Sequence, residues 1–521
     1  MKYILTVSGI VCVLFSSFSQ VQDVKELDEK YLNWHNEDYA SSSIVGTSVE
    51  KAYVEFLNSD SPRKTIIVAV IDSGVDIYHE DLEGKIWVNE DEIPDNNLDD
   101  DDNGYIDDVY GWNFIGNESG ENVNYETLEY TRVLRTEEVG SPLYFKAKSL
   151  YDKEISKRKE EKKNLEGFEK VYYKAKDIIQ ISTKVEVTKL EDLSKVQSSN
   201  ERVLSAKRFL KERYEMGFTE EVLEDLKTQN EEFLSYHLSL DFNPRSIVGD
   251  DPFEISDTKY GNPDVVGPRA NHGTSVAGVI AANRNNDIGI QGIATDVKIM
   301  AIRSTPNGDE RDKDVALAIK YAVDNGADVI NMSFGKDLSP QKEFVDDAVR
   351  YAEEKGVLLI HSSGNSGKNI DTEESYPSGV FLDGQEAANW LCVGASDYEL
   401  NEEVIAVFSN YGAKQVDIFA PGVNIVSLDT ANSYSMNDGT SLSGPIVSGV
   451  AAIVLSVYPD LTPEEIIDIL MNSAFTFKKP KKVLAPLSGS GKRKKTKFGE
   501  LSRSGIVNAY QALVEAEKQT R

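Results

Sequence analysis

Residues 65–71, Thr-Ile-Ile-Val-Ala-Val-Ile, constrain the fold more than any other stretch of the chain. A strand with one wet face alternates apolar and polar side chains. This one is apolar on both alternations and rich in β-branched residues, so both of its faces must be covered. Such a strand belongs inside a parallel sheet with helices packed on either side. A second run, Val357-Leu358-Leu359-Ile360, has the same character. Open α/β sheets place their chemistry at the carboxyl ends of strands, which directs attention to the residues just beyond each run. These are Asp72-Ser73-Gly74 after the first and His361-Ser362-Ser363-Gly364-Asn365 after the second.

Two further strings complete a set. His272-Gly273-Thr274-Ser275 leads into Val276, Ala277, Val279, Ile280 and Ala281, a small-residue helix opened by the histidine. Gly439-Thr440-Ser441-Leu442-Ser443-Gly444-Pro445 opens a helix through Val447, Val450, Ala451 and Leu455. Pro445 is expected in its first turn, where a missing N–H costs little. A serine hydroxyl becomes a useful nucleophile only when a base takes its proton and a third group holds that base in the right tautomer. At a helix N-terminus it also has free backbone N–H groups beside it for a developing oxyanion. Each string alone has a bland reading, since an Asp after a strand is most often a turn residue. Together, each in a context that suits its role, they define one reaction.

In that order and context, Asp72, His272 and Ser441 resemble the subtilisin-like serine proteases, the subtilase family. The order Asp, His, Ser along the chain is a trait of that family; the chemistry itself would work in any order. The resemblance implies that Asn365 donates its amide to the tetrahedral oxyanion alongside the Ser441 N–H. It implies that Ser333, Phe334 and Gly335 line the primary specificity pocket and pair with the substrate backbone, with Phe334 and Lys336 flanking that edge. The small Ser362, Ser363 and Gly364 then suggest a pocket open to a bulky apolar side chain. The implied fold is α/β, a three-layer arrangement with a mostly parallel central sheet. The implied activity is hydrolysis of peptide bonds in protein or peptide substrates through an acyl-enzyme. A catalytically dead binding protein on the same fold would have no need of all four chemical positions.

The formal net charge of −32 over 521 residues argues against nucleic acid or an anionic membrane surface as a partner. Lys2 followed by an apolar stretch from Ile4 to Phe18 reads as a signal peptide, with Ser17 and Ser19 suited to cleavage before Gln20. That stretch is short for a membrane span, no other segment is read as one, and the protein is expected to be exported. Cys12 lies inside it and is read as filler. Cys392, in the strand-like run Trp390 to Ala395, is then left alone as a buried thiol, so no intramolecular disulfide is available.

Asp72 and His272 are 200 positions apart, whereas His272 and Ser441 are 169 apart, which the shared core can account for. The surplus therefore lies between Asp72 and His272. From Leu143 to Asn243 there is no proline, and Leu165, Phe168, Tyr172, Ala175 and Ile179 fall at helical spacing. Ser198 with Glu201 predicts a capping box for a helix carrying Val203, Ala206 and Leu210, and a third helix follows Thr219. The periodicity favours a helical hairpin or small bundle over a coiled-coil arm. The expected division is a signal peptide at 1–19, a short polar leader at 20–50, catalytic parts at 51–120 and 246–521, and a helical insertion at 121–245. The leader contains Asn33-Trp34-His35-Asn36, with His35 read as a packed or exposed residue and not a second base. It is shorter than the prodomain that subtilases commonly carry. Gly491 to Lys497 is a basic loop, expected on the surface and open to nicking.

Asp99, Asp101, Asn103, Gly104, Tyr105 and Asp107 follow the opening of a calcium loop. Oxygen side chains stand at positions 1, 3 and 5, a turn glycine at 6, Tyr105 at 7 and an acid at 9. Position 12 is Tyr110, so the bidentate acid must come from elsewhere, with Asp102 and Asp108 as candidates. Seven acidic residues between Asp95 and Asp108 would repel one another without a cation. A structural calcium is the expected remedy on a chain without disulfides.

Overall fold

The computed structural model describes residues 21–57, 63–489 and 491–521. The expected signal peptide and Cys12 lie outside the described residues. Two compact units are present: Tyr130–Asn243, within the expected insertion, and the unit expected to be catalytic, formed by the chain on either side, up to Glu129 and from Pro244 to Arg521.

The catalytic unit is built on seven strands: β1 (Ile66–Asp72), β2 (Gly111–Asn113), β3 (Val297–Arg303), β4 (Val329–Met332), β5 (Leu358–Ser362), β6 (Trp390–Ser396) and β7 (Ile418–Pro421). They lie in the order β2-β3-β1-β4-β5-β6-β7, and every ladder between them is parallel. An antiparallel hairpin, β8 (Ile425–Asp429) with β9 (Ser433–Asn437), comes next. Among the described residues, the helices longer than ten residues are α1 (Pro142–Thr183), α2 (Glu201–Glu215), α3 (Glu220–Glu232), α4 (Asn271–Ala281), α5 (Asp312–Asp324), α6 (Lys342–Glu354), α7 (Thr440–Val457) and α8 (Ala509–Thr520).

The doubly apolar character of β1 explains the layers. Its Ile66, Val68 and Val70 enter one core with residues of α4, α7 and α8. Ala69 and Ile71, on the other alternation, enter a second core with residues of α5 and α6. The same split recurs in β5, where Leu358 and Ile360 face the first core and Leu359 the second. A period of two thus sends each strand's side chains into two separate apolar layers. Helix α7 is long and apolar enough to cross a membrane by length and composition, contrary to the reading that no such segment lies beyond the signal stretch. Its 18 residues are 89% buried inside the protein, which accounts for their apolarity.

The leader is not a loose polar segment. Trp34, His35 and Asn36 are buried, and Val24, Trp34 and Val49 belong to the first core. Trp34 Nε1 donates to the Asn424 carbonyl at 3.1 Å, and Val21 exchanges backbone hydrogen bonds with Tyr434 on β9. His35 finds no partner for either ring nitrogen among the described residues, and burial pulls its pKa down to about 3. It is a packed neutral ring.

The insertion has its own core of Leu165, Tyr172, Ile179, Val203, Leu210 and Leu223, drawn from α1, α2 and α3. Helix α1 is 42 residues long. The cap of α2 differs from the predicted Ser198 box: Asn200 accepts from the Arg202 N–H at 2.9 Å, while Ser198 accepts from the Asn200 N–H. Thr219 caps α3, the helix expected to follow it.

Candidate active site

Asp72 ends β1 and is buried, and one of its oxygens receives two donors. The Ser73 N–H reaches Oδ1 at 2.7 Å, and His272 Nδ1 lies 2.7 Å from the same atom. A carboxylate only accepts, so Nδ1 carries the imidazole proton and Nε2 is left as the basic nitrogen. His272 stands on the first turn of α4, whose approach to β1 depends on Gly273. A Cβ there would lie 2.1 Å from the Gly74 carbonyl oxygen and 3.1 Å from Asp72 Cβ. Gly74 itself sits at φ +125° against the Val266 carbonyl. Burial pulls the His272 pKa down, and the charge and hydrogen bond of Asp72 more than reverse this, leaving it above the ordinary histidine value.

Arg303, at the end of β3, carries no motif that would single it out in the sequence. It is 1% exposed and donates to the Ser73 carbonyl at 3.0 Å, to Asn113 Oδ1 at 3.0 Å and to the Val123 carbonyl at 2.6 Å. It therefore clamps the turn after Asp72 to β2 and the chain beyond. Burial lowers its pKa to about 10.

Ser441 is the second residue of α7. Pro445 is not in the first turn; it lies inside the helix and removes the donor that would serve the Ser441 carbonyl. The Ser333 hydroxyl supplies the missing donor at 3.1 Å. The Ser362 hydroxyl donates to the Thr440 carbonyl at 2.7 Å. The backbone of Thr440 and Ser441 is thus held from the ends of β4 and β5.

Asn365 has a fixed amide orientation. Its Oδ1 accepts from the Thr440 N–H at 2.9 Å and from Thr440 Oγ1 at 2.9 Å, so Nδ2 is the end left to donate. A Cβ placed on Gly439 would lie 2.8 Å from Ser441 Oγ and 3.7 Å from Asn365 Nδ2, so both atoms approach one small space. Asn410, buried and distant in sequence, shapes this loop. Its Nδ2 donates to the Ser363 carbonyl at 2.7 Å, and its Oδ1 accepts from the N–H groups of Ser366 and Lys368.

The residues expected to line the substrate edge lie at the ends of β4 and β5, but they are not equivalent. Phe334 is half-buried and Gly335 exposed. The hydroxyls of Ser333 and Ser362 are turned to the α7 backbone. Ser363 is buried, donates to the Asn410 carbonyl at 3.2 Å, and lines a separate cavity with Trp390, Asp417 and Arg503. That cavity is not lined by Asp72, His272 or Ser441. Gly364 adopts φ +101°, where a side chain would be strained. Lys336 is not a surface cation: its Nζ lies 2.7 Å from Glu129, 2.9 Å from Asp312 and 2.8 Å from the Glu310 carbonyl.

In the acidic loop, Glu92, Asp99 and Asp101 bring carboxylate oxygens within 4.8 Å of one another. Asp107 does not join them; it accepts from the N–H groups of Asn96 and Asn97. Asn103 Oδ1 accepts from the Tyr105 N–H, and the Tyr105 ring packs on Trp112 and Tyr321. Asp102 is exposed. Asp108 is buried, accepts from the Tyr321 hydroxyl and from Asn89, and is pushed up by burial to about 6. Glu92, seven residues before the motif, is 5% exposed, and its pKa is raised by burial. Among the described residues no Lys or Arg pairs with Glu92, Asp99 or Asp101. A buried carboxylate beside two others, without a cationic partner, has the donor chemistry of a hard divalent cation.

The chain matches the subtilase family over residues 63–506 and belongs to it. It is 41% identical over 187 residues to the thermophilic serine proteinase of Bacillus sp. (strain AK1), covering 36% of this chain and 43% of that protein. It is 38% identical over 204 residues to M-protease of Shouchella clausii (strain KSM-K16), covering 39% and 49%. Against subtilisin Savinase of Lederbergia lenta the identity is also 38% over 204 residues, covering 39% and 70%. The chain thus spans about half the length of the first two relatives.

Proposed function

We propose that the protein is an exported serine endopeptidase that cleaves protein or peptide substrates through an acyl-enzyme. The observation that carries this reading is the pairing of His272 Nδ1 with the buried Asp72 carboxylate at 2.7 Å. It is supported by a serine at a helix start and by an amide whose acceptor end is already occupied. Ser441 Oγ attacks the scissile carbonyl while His272 Nε2 takes its proton. Asp72 keeps the ring in the required tautomer and stabilises the imidazolium. Asn365 Nδ2 and the Ser441 N–H donate to the oxygen as it becomes an oxyanion. His272 then returns the proton to the leaving amine, and water repeats the sequence in reverse to release the acid.

Phe334 and Gly335 offer the open part of the substrate edge, which suits an apolar side chain before the scissile bond. Export is supported by the basic and apolar pattern of Lys2 to Phe18. Calcium would be held by Glu92, Asp99 and Asp101, where it would neutralise like charges and tie the loop down, taking no part in the reaction. The helical insertion is proposed to take no part in the chemistry.

The test is Ser441→Ala. One small hydroxyl is lost and nothing is unpacked, so circular dichroism and melting should match the parent. Turnover of a casein substrate should fall by about 10⁶-fold in kcat, a figure known for this same family. A folded variant with parental turnover would exclude Ser441 as the nucleophile.

A further inference from the structure

The segment from Lys478 to Lys497 runs against the charge of the whole chain. Nine of its twenty residues are Lys or Arg and none is acidic, on a protein of net charge −32. It forms a short antiparallel hairpin, Val483–Leu484 with Lys495–Thr496. Val483 is fully buried. Arg493 acts as scaffold, donating to the carbonyls of Ala485 at 2.9 Å, Ile405 at 2.7 Å and Leu484 at 2.8 Å. Lys495 pairs with Glu402 at 2.6 Å. Lys478, Lys479, Lys481, Lys482, Lys492, Lys494 and Lys497 are exposed, and none has an acidic partner among the described residues.

The hairpin is continuous with the oxyanion loop. The Leu487 N–H donates to the Val407 carbonyl at 2.9 Å, and the Gly367 N–H donates to the Phe408 carbonyl at 2.7 Å. A Cβ on Gly367 would lie 2.4 Å from the Leu487 carbonyl, so these two stretches of backbone touch. Gly367 is two residues beyond Asn365.

We infer that this lysine hairpin is an exosite that captures an acidic stretch of polypeptide substrate near the cleavage point. The inference rests on the protease reading above. Unpaired lysines on a folded hairpin attract anions over roughly 10 Å at moderate salt. Elsewhere the surface of so acidic a protein repels an acidic substrate, so the hairpin decides where such a chain lands. Local attraction of this kind raises association about tenfold or more. A short acidic segment fits better than a nucleic acid. A long polyanion would run onto repulsive surface, and residues 478–497 contain no aromatic ring on which bases could stack.

The test pairs two substrates that differ only in carrying Glu or Gln at four consecutive positions beside a common cleavage sequence. Full-length protein is compared with a variant carrying Lys481→Ser, Lys482→Ser, Lys492→Ser and Lys494→Ser, all exposed positions. The parent should prefer the Glu substrate about tenfold in kcat/KM, through KM, and the preference should vanish in the variant and in about 1 M salt, where the screening length is roughly 3 Å. Hydrolysis of the Gln substrate should not change. In the Ser441→Ala background, fluorescence anisotropy should show the same lysine-dependent preference without turnover. Equal binding and hydrolysis of the two peptides, or a preference the variant keeps, would overturn the inference. So would a variant that loses only affinity for DNA or anionic vesicles. If neither peptide is cleaved but Glu-peptide binding still needs the lysines, the protease reading fails and the exosite stands.

Discussion

The catalytic unit and the insertion use polar side chains in opposite ways. In the catalytic unit several charged groups are fully buried and bridge distant parts of the chain. Lys313 and Asp250 are both fully buried and 2.7 Å apart, and Arg245 meets Asp314 at 2.7 Å. In the insertion the pairs lie nearer the surface: Lys148 meets Asp152 at 2.7 Å and Lys211 meets Glu215 at 3.4 Å within one helix, and the half-buried Lys227 meets Glu169 at 2.6 Å between two helices. Exposed pairs contribute about 0–1 kcal/mol, so the insertion is held chiefly by its apolar seam. Breaking one side of a buried pair costs about 3–5 kcal/mol, so the catalytic unit's networks hold position at the expense of tolerance. The difference teaches where a single polar atom should matter.

The comparison breaks most visibly at Asn365. Asn365→Ala should lower kcat by about 10²–10³ with little change in KM, because the amide acts on charge that develops in the transition state. An unchanged kcat would remove it from the oxyanion hole. At the acidic loop the expected effect is smaller. Calcium at a hundredfold excess over its Kd should stabilise the protein by about 2.7 kcal/mol, and Glu92→Gln should erase most of that gain. Asp107→Asn should keep it, since Asp107 lies outside the cluster of Glu92, Asp99 and Asp101. Equal melting in chelator and in calcium would leave only a solvated loop. The smallest effect is expected from the largest change. Replacing Leu143 to Asn243 by a short Gly/Ser bridge should leave kcat/KM on a small peptide within about twofold, because loop closure depends weakly on length. An insoluble product would mean that the rest of the chain does not fold without these residues.

Local pattern made part of this legible in the sequence. The run from Ile66 to Ile71 announced a strand buried on both faces, and the strings around Asp72, His272 and Ser441 announced helix starts and strand ends. The illegible part depends on approach in space. Nothing near Asn410 signals that it shapes the loop of Asn365, and Arg303 looks like an ordinary strand residue. Glu92 escapes a calcium pattern confined to one loop, because the fold turns this earlier acid into it. The misplacement of Pro445 has the same origin. Counting from Ser441 puts it in a first turn, but α7 begins one residue earlier, and Ser333, just beyond β4, supplies the missing donor. The leader looks polar by composition, yet Trp34 and Val49 are core residues.

The proposed mechanism requires that Asp72 and His272 activate Ser441 and no other hydroxyl. A fluorophosphonate probe, followed by proteolysis and mass spectrometry, tests it most directly. A single adduct is expected on the peptide containing Ser441, slowed strongly by Asp72→Asn and absent in Ser441→Ala. An adduct on any other residue, or labelling of Ser441 that Asp72→Asn leaves unchanged, would contradict it.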